Sequence, residues 1–282
     1  MKKGSLVDPI MLPETVASYE LFWETKAMNI TVLTNRDLAS HISLGRLVER
    51  LNGHKLSLFI SEKVGGDHSL PEPLMALAAF EKRVIQASSM SFDDLAAKAG
   101  CPLQRFADIG NKVNGPEGIA RIQASEPDII LSIRFGLIIR EQVIAIPKHG
   151  VINLHSGVLP DYRGVMATYR AMVNGDADIG STLHFIQDNG VDTGDILSIA
   201  KIPLQPQISY LLNVLNLYTA GCDQLVDALQ RLDVGQILEA QPQQGEPGYF
   251  TFPDQQQLAA FFAMGYQLFD SEEIEAIAAL QG

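Results

Sequence analysis

The chain has 282 residues, 46% of them hydrophobic, and a formal net charge of −12 at pH 7. That is apolar material for one large domain or one and a half, and no apolar run approaches the length needed to span a bilayer. The acidic balance sets the overall field against a polyanion such as nucleic acid, and no more than two Lys or Arg residues are ever adjacent.

The sequence opens Met1-Lys2-Lys3 but meets Asp8, Pro13 and Glu14 where a signal peptide needs an uninterrupted apolar stretch, so a soluble cytoplasmic protein is expected. Residues 1–27 are read as an N-terminal extension. Within it, 12–26 is open between a short amphipathic helix carrying Trp23 and a poorly ordered segment.

From Met28 the chain alternates. An apolar, β-branched run at 29–34 reads as a buried strand, and 38–51 as a helix stopped by Asn52-Gly53. Residues 55–60 form a second strand, 71–86 a helix, and Ser91 caps a short helix ending at Gly100. A helix at 116–124 precedes a strand at 128–133. Strands separated by such helices imply an α/β fold: a Rossmann-like, mostly parallel sheet with helices on both faces. The glycine-rich dinucleotide fingerprint is missing after the first strand, where Thr34-Asn35-Arg36-Asp37 stands, so no nicotinamide cofactor is expected. Phosphate binding at that helix N-terminus stays open beside a merely solvated Asn-Arg pair. Past residue 205 a long helix is expected at 209–232, then a Gln/Pro/Gly linker at 241–248 and two helices over 255–280. Residues 206–282 are therefore read as a small, mainly helical C-terminal extension whose apolar face offers a homodimer surface.

Two segments carry the chemistry. Asn153 and His155 stand two positions apart, on one side of an extended chain, ahead of the turn Leu159-Pro160-Asp161-Tyr162-Arg163-Gly164. Downstream, Asp192-Thr193-Gly194 brings a carboxylate on a glycine-flanked loop, with Asp195 as its rival. An amide donor, an imidazole and a carboxylate can pass an acyl group to a nucleophile. Each also has a plain structural role open to it: a turn-tying Asn, a backbone-satisfied His, an Asx turn. His184, alone on an apolar strand, reads more readily as structural, and Tyr162-Arg163 as fixing the turn. Cys101 and Cys222 lie far apart and are expected as free thiols; neither they nor the six scattered histidines have metal-ligand spacing, so no metal is expected.

Asn153-x-His155, Leu159-Pro160, Tyr162-Arg163-Gly164 and Asp192-Thr193-Gly194 together resemble the signature of formyltransferases that use 10-formyltetrahydrofolate. The resemblance extends over residues 28–205, through 127–136 and 180–185. It implies the formyltransferase fold and a catalytic domain at 28–205. It also implies Asn153, His155 and Asp192 as catalytic residues, with Asn153 and His155 donating to an oxyanion. The folate would be held by Arg134, Phe135, Gly136, Leu137, Ile138, Ile139 and Val191. One departure is that His184 and Asp192 stand one residue further apart than in the family, which unsettles Asp192. The implied activity is formyl transfer to an amine of a small molecule, a nucleotide-linked amino sugar or a specialised-metabolism precursor. Alternatives are a methionyl-tRNA formyltransferase-like enzyme, disfavoured by the acidic charge and by a tail unlike that family's C-terminal barrel, and a 10-formyltetrahydrofolate hydrolase. A non-catalytic folate- or nucleotide-binding module is the third.

Overall fold

The computed structural model describes residues 27–62 and 70–280. Residues 12–26, left open between a helix and a poorly ordered segment, lie outside them.

Strand β1 (Asn29–Asn35) leads into α1 (Leu38–Arg50), β2 (Lys55–Ser61), α2 (Glu72–Ala87), α3 (Phe92–Lys98), β3 (Leu103–Arg105), α4 (Pro116–Ala124) and β4 (Ile129–Ile133). There follow α5 (Glu141–Ile144), β5 (Val151–His155), β6 (Arg163–Gly164), α6 (Ala167–Asn174), β7 (Asp178–Ile186) and β8 (Ile196–Pro203). The chain ends with α7 (Tyr210–Asp233), β9 (Tyr249–Phe250), α8 (Gln255–Ala263) and α9 (Ile274–Ala279). Seven strands form one sheet in the order β3-β2-β1-β4-β5-β7-β8, while β6 pairs with β9. Pairing is parallel through β5 and antiparallel from β5 to β7 and β8. The expected mostly parallel α/β sheet is what forms.

The central strands are apolar on both faces because both faces are covered. Ile30 and Val32 of β1 enter one core with α1, α2 and α7, whereas Leu33 enters the other with Phe59, Phe106, Ile130 and Val151. Two caps fix where helices begin. Asp37 accepts the Ser40 N–H at the start of α1, and Ser91 makes a reciprocal capping box with Asp94 on α3.

The boundary expected at residue 205 is no break in packing. Ser209 caps α7, whose Leu211, Leu215, Tyr218, Cys222, Leu225 and Leu229 recur at helical spacing and bury in the main core. Leu258, Phe261, Leu268 and Ile277 join the same core. Much of the apolar face expected to serve a homodimer is thus buried within the chain, while Ile237, Phe262, Met264 and Ile274 stay exposed.

In a parallel sheet every β-to-loop exit lies on one edge, so side chains at the strands' carboxyl ends share a crevice. Here the exits of β1, β4 and β5 meet the loop joining β7 to β8.

Candidate active site

Register builds the centre of this crevice. Ser132 of β4 lies opposite Asn153 of β5, and Asn153 lies opposite His184 of β7. Three neighbouring strands thereby set a hydroxyl, an amide and an imidazole in one row. Ser132 Oγ donates to Asn153 Oδ1 at 2.8 Å, which fixes the amide so that its Nδ2 faces His184. Asn153 Nδ2 donates to His184 Nε2 at 3.0 Å and reaches Asp192 Oδ1 only at 3.5 Å. His184 is 1% exposed, and its Nδ1 donates to the Phe185 carbonyl at 2.8 Å. A carbonyl can only accept, so Nδ1 carries a proton and Nε2 is free to accept from the amide.

His155 sits at the end of β5, 7% exposed. Its Nε2 donates to the Tyr162 carbonyl at 2.7 Å, and its Nδ1 lies 3.5 Å from Asp192 Oδ2. By the same reasoning Nε2 is protonated. The approach of Nδ1 to a carboxylate is attractive only when Nδ1 is protonated too. The simple expectation that His155 donates directly to an oxyanion therefore needs amending, because both of its nitrogens are already engaged. The Gly157 turn leaves no slack: a Cβ there would fall 2.6 Å from His155 Nε2 and 2.9 Å from the Tyr162 carbonyl.

Asp192 reaches this cluster despite its longer spacing from His184. It adopts a left-handed backbone at φ 54°, accepts the Gly164 N–H at 2.8 Å, and lies 3.5 Å from His184 Nε2. Burial pushes its carboxyl pKa up, but His155 and the Gly164 N–H, with His184 in its charged form, outweigh burial and hold it at about 2. Asp195 instead accepts from Gln187 Nε2 at 3.2 Å and turns away.

The loop is tied down from a distance. Gln243 Nε2 donates to the Asp192 and Gly194 carbonyls, both at 2.8 Å, while its Oε1 accepts from Arg163 Nη2 at 2.7 Å. The segment expected as a linker is therefore a brace. Parallel pairing of β6 with β9 anchors it: Gly164 at φ 94° runs so close to Phe250 that a Cβ would fall 2.1 Å from that carbonyl.

These groups open onto a cleft of about 320 Å³ whose lining includes every residue expected at the site: Arg134, Phe135, Gly136, Leu137, Ile138, Ile139, Asn153, His155, Val191 and Asp192. The volume lies at the small end for ligand pockets. Phe135, Leu137 and Ile139 pack on the second core, and Phe135 lies 5.8 Å from Phe106 between ring centres. Ile138 is 52% exposed in the cleft, and its carbonyl accepts from Asn114 Nδ2 at 2.7 Å. Asn114 Oδ1 also accepts the Arg140 N–H, so one side chain clamps the downstream end of the turn.

Arg134 departs from its neighbours. At φ 55° it faces the opposite side of the sheet, where its Nε donates to Asp37 Oδ2 at 2.7 Å and its Nη1 lies 3.5 Å from Tyr218 Oη. Asp37 and Glu81 occupy the N-terminus of α1, taking the Ser40 and Leu38 N–H groups, and Arg36 pairs with Glu62. The phosphate reading of that helix start thus meets two carboxylates instead of free donors. Burial, helped by Asp37, pushes the Glu81 carboxyl up to about 8. Burial opposes charge on Arg134, but Asp37 and its neighbours more than offset it and hold the guanidinium's pKa well above its usual value.

Sequence reasoning missed Ser132, Asn114, Gln243, Asp37 and Glu81, and undervalued His184. A polar residue inside the apolar run Ile129–Ile133 was a usable signal for Ser132; for Gln243 there was none locally. Among the described residues no group of three or more His, Cys, Asp or Glu side chains could hold a metal, and no helix is long and apolar enough to cross a membrane.

Residues 89–211 match the family described as Formyl transferase. The methionyl-tRNA formyltransferase of Hydrogenovibrio crunogenus is 35% identical over 122 residues, which are 43% of this chain and 39% of that protein. The chain thus spans less than half of that curated relative. Glycinamide ribonucleotide transformylase 1 from Symbiobacterium toebii superposes with a TM-score of 0.55 at 15% identity, covering 77% of this chain and 94% of its own. The sugar 3N-formyl transferase WlaRD, solved in the presence of dTDP and 5-N-formyl-THF, gives a TM-score of 0.52 at 17% identity over 80% of this chain and 70% of its own. The resemblance to formyltransferases drawn from Asn153, His155 and Asp192 holds, and the fold is theirs.

Proposed function

We infer that this chain, which carries a formyl transferase domain over residues 89–211, moves a formyl group from 10-formyltetrahydrofolate to an amine. The observation that carries the reading is the meeting of Asn153, His155, His184 and Asp192 at one end of a cleft with an apolar wall at 135–139. In this reading residues 28–205 form the catalytic portion, completed by the packed segment beyond it.

The chemistry follows from the bonds each group can spare. The acceptor nitrogen attacks the formyl carbon, the N–C bond forms, and the carbonyl oxygen becomes an oxyanion. One Asn153 N–H is committed to His184, while the other, held only loosely toward Asp192, is free to turn to that oxygen. A neutral donor so placed contributes roughly 3–4 kcal/mol to the barrier. His155, anchored through Nε2 by the Tyr162 carbonyl, sets its Nδ1 edge against Asp192 beside the oxyanion. Asp192, ionised at any physiological pH, accepts the proton the amine sheds. When the intermediate collapses, the C–N10 bond breaks and the folate nitrogen takes up a proton. Phe135, Leu137, Ile138, Ile139 and Val191 would seat the folate's ring system.

For the acceptor two observations pull apart. The name of the sequence relative favours an aminoacyl-tRNA, at least as strongly as the −12 charge favours a small metabolite. One assay separates them: purified protein with 10-formyltetrahydrofolate, offered methionyl-tRNA in one arm and small amines in the other. Transfer to tRNA that falls steeply with salt supports the first; salt-insensitive transfer to a small amine supports the second. Formate release without any acceptor would make the protein a hydrolase. Neither donor binding nor turnover would overturn the proposal.

A further inference from the structure

We propose that the acceptor amine carries a carboxylate, and that Arg134 is the residue that receives it. This rests on the formyl-transfer reading above and narrows its substrate class.

The cleft has two unlike ends. Phe135 to Ile139 supply the apolar wall, while Arg134, the first residue of the same turn, points across the sheet because its backbone is left-handed. Non-glycine residues hold that conformation only when their surroundings demand it. There Arg134 is fixed through Nε alone, by Asp37 at 2.7 Å. Its Nη1 has a single long contact with Tyr218, and its Nη2 has no hydrogen-bond partner among the described residues. The side chain is 27% exposed and lines the cleft beside Tyr218 and Ser156, the latter next in sequence to His155. A cleft-lining guanidinium held firmly by one nitrogen, with its terminal nitrogens left little used, can offer the edge that takes a carboxylate in a two-pronged bond.

Charge selects the anion. Asp37 already neutralises Arg134 in part, and Glu81 stands behind the pair. The helix donors that could cradle a phosphate, Leu38 and Ser40 N–H, are bonded to the Glu81 carboxyl and the Asp37 carboxylate. A dianion placed here would face the Asp37 charge without free backbone donors. A single negative charge, bonded by the Arg134 edge and the Tyr218 hydroxyl, fits. An acceptor of this class is an amino acid or a close relative, whose amine then lies on the Asn153 side.

The experiment offers wild-type protein and 10-formyltetrahydrofolate a panel of free α-amino acids, their methyl esters, phosphoethanolamine and methionyl-tRNA, and follows tetrahydrofolate release. The esters' amines are less protonated at neutral pH and react more readily, so a preference for free acids cannot arise from intrinsic reactivity. Transfer to at least one free amino acid, about 10- to 100-fold more efficient than to its ester, is expected from a charged hydrogen-bonded pair. Arg134→Gln should raise KM for that amino acid by a similar factor, leaving affinity for 5-formyltetrahydrofolate, a stable donor analogue, unchanged. Tyr218→Phe, which keeps the packing, should raise it several-fold.

Equal use of acids and esters would overturn the carboxylate assignment, as would transfer confined to phosphoethanolamine or methionyl-tRNA, or donor binding with no transfer across the panel. Loss of donor affinity in Arg134→Gln would return Arg134 to the folate. Failure of donor binding in the wild type would instead remove the formyl-transfer reading underneath.

Discussion

The two walls of the cleft are made in opposite ways. The apolar wall is one contiguous turn, 135–139, resting on a single core and clamped by Asn114. The polar wall gathers Asp37, Arg134, Tyr210 and Tyr218 from the start of α1, from the end of β4 and from α7, with Glu81 of α2 behind them. A wall of contiguous residues can keep its shape while the rest of the chain changes. A wall assembled from separate places can be re-specified one residue at a time. In the proposed reaction the first would seat the donor and the second the acceptor, with Asn153, His155 and Asp192 at the seam.

Changes at the seam should be the most damaging. Asn153→Ala should lower kcat by about 10²- to 10³-fold, with affinity for 5-formyltetrahydrofolate little altered, as read by steady-state rates and a binding titration. A collapse of donor affinity would mean that the amide belongs to the apolar wall. Next in size comes the brace. Gln243→Ala frees the Asp192 and Gly194 carbonyls and should cost up to about 10²-fold in kcat, the scale of a small misplacement of reacting groups. Thermal stability should stay close to wild type, since Gln243 contributes no core packing.

On the apolar wall itself, Leu137→Ala should raise the KM for the donor about 10-fold and leave kcat alone, as the loss of a few methylenes does in an apolar pocket. A drop in kcat of the same size would show that the two walls are coupled.

The polar wall gives the smallest effect, seen through pH. With a carboxyl pKa of about 8 against an ordinary 4.5, Glu81 contributes stability that is whole below 4.5 and lost as the pH rises through 8. Glu81→Gln should therefore melt higher than wild type at pH 8.5, by a few degrees, and nearly alike at pH 5. Asp192 has the reverse sign: its pKa of about 2 lies below the usual 3.8, so its contribution persists until strong acid. Any acid fall in rate between pH 5 and 7 must then arise elsewhere than at Asp192.

This division also marks what the sequence could reveal. Asn153, His155 and the Asp192 loop are legible because they sit in short contiguous runs, and the 135–139 turn because five apolar-leaning residues follow a buried strand. The α/β alternation was legible from apolar periodicity alone. Ser132 and His184 needed strand register, which follows only once β4, β5 and β7 are aligned. Asp37 is an ordinary helix cap whose second oxygen is spent on Arg134, a partner 97 residues away that no local pattern reports. Gln243 lay in a stretch whose composition says linker, and nothing local reports a contact 51 residues away. The helix at 209–232 was found, but its place in the core was not, because an amphipathic stripe does not say which surface will cover it.

The Gln243 clasp bears on how the protein comes into being. As the chain leaves the ribosome, β5, the Asp192 loop and the whole seven-stranded sheet emerge before residues 243–250 do. Until residues 243–250 arrive and thread beside Gly164, a nascent molecule has its reactive side chains but lacks the clasp that sets them. Competence therefore switches on only after the sheet itself has been made, and the stretch 89–211 cut out on its own would hold the parts without the contacts that align them.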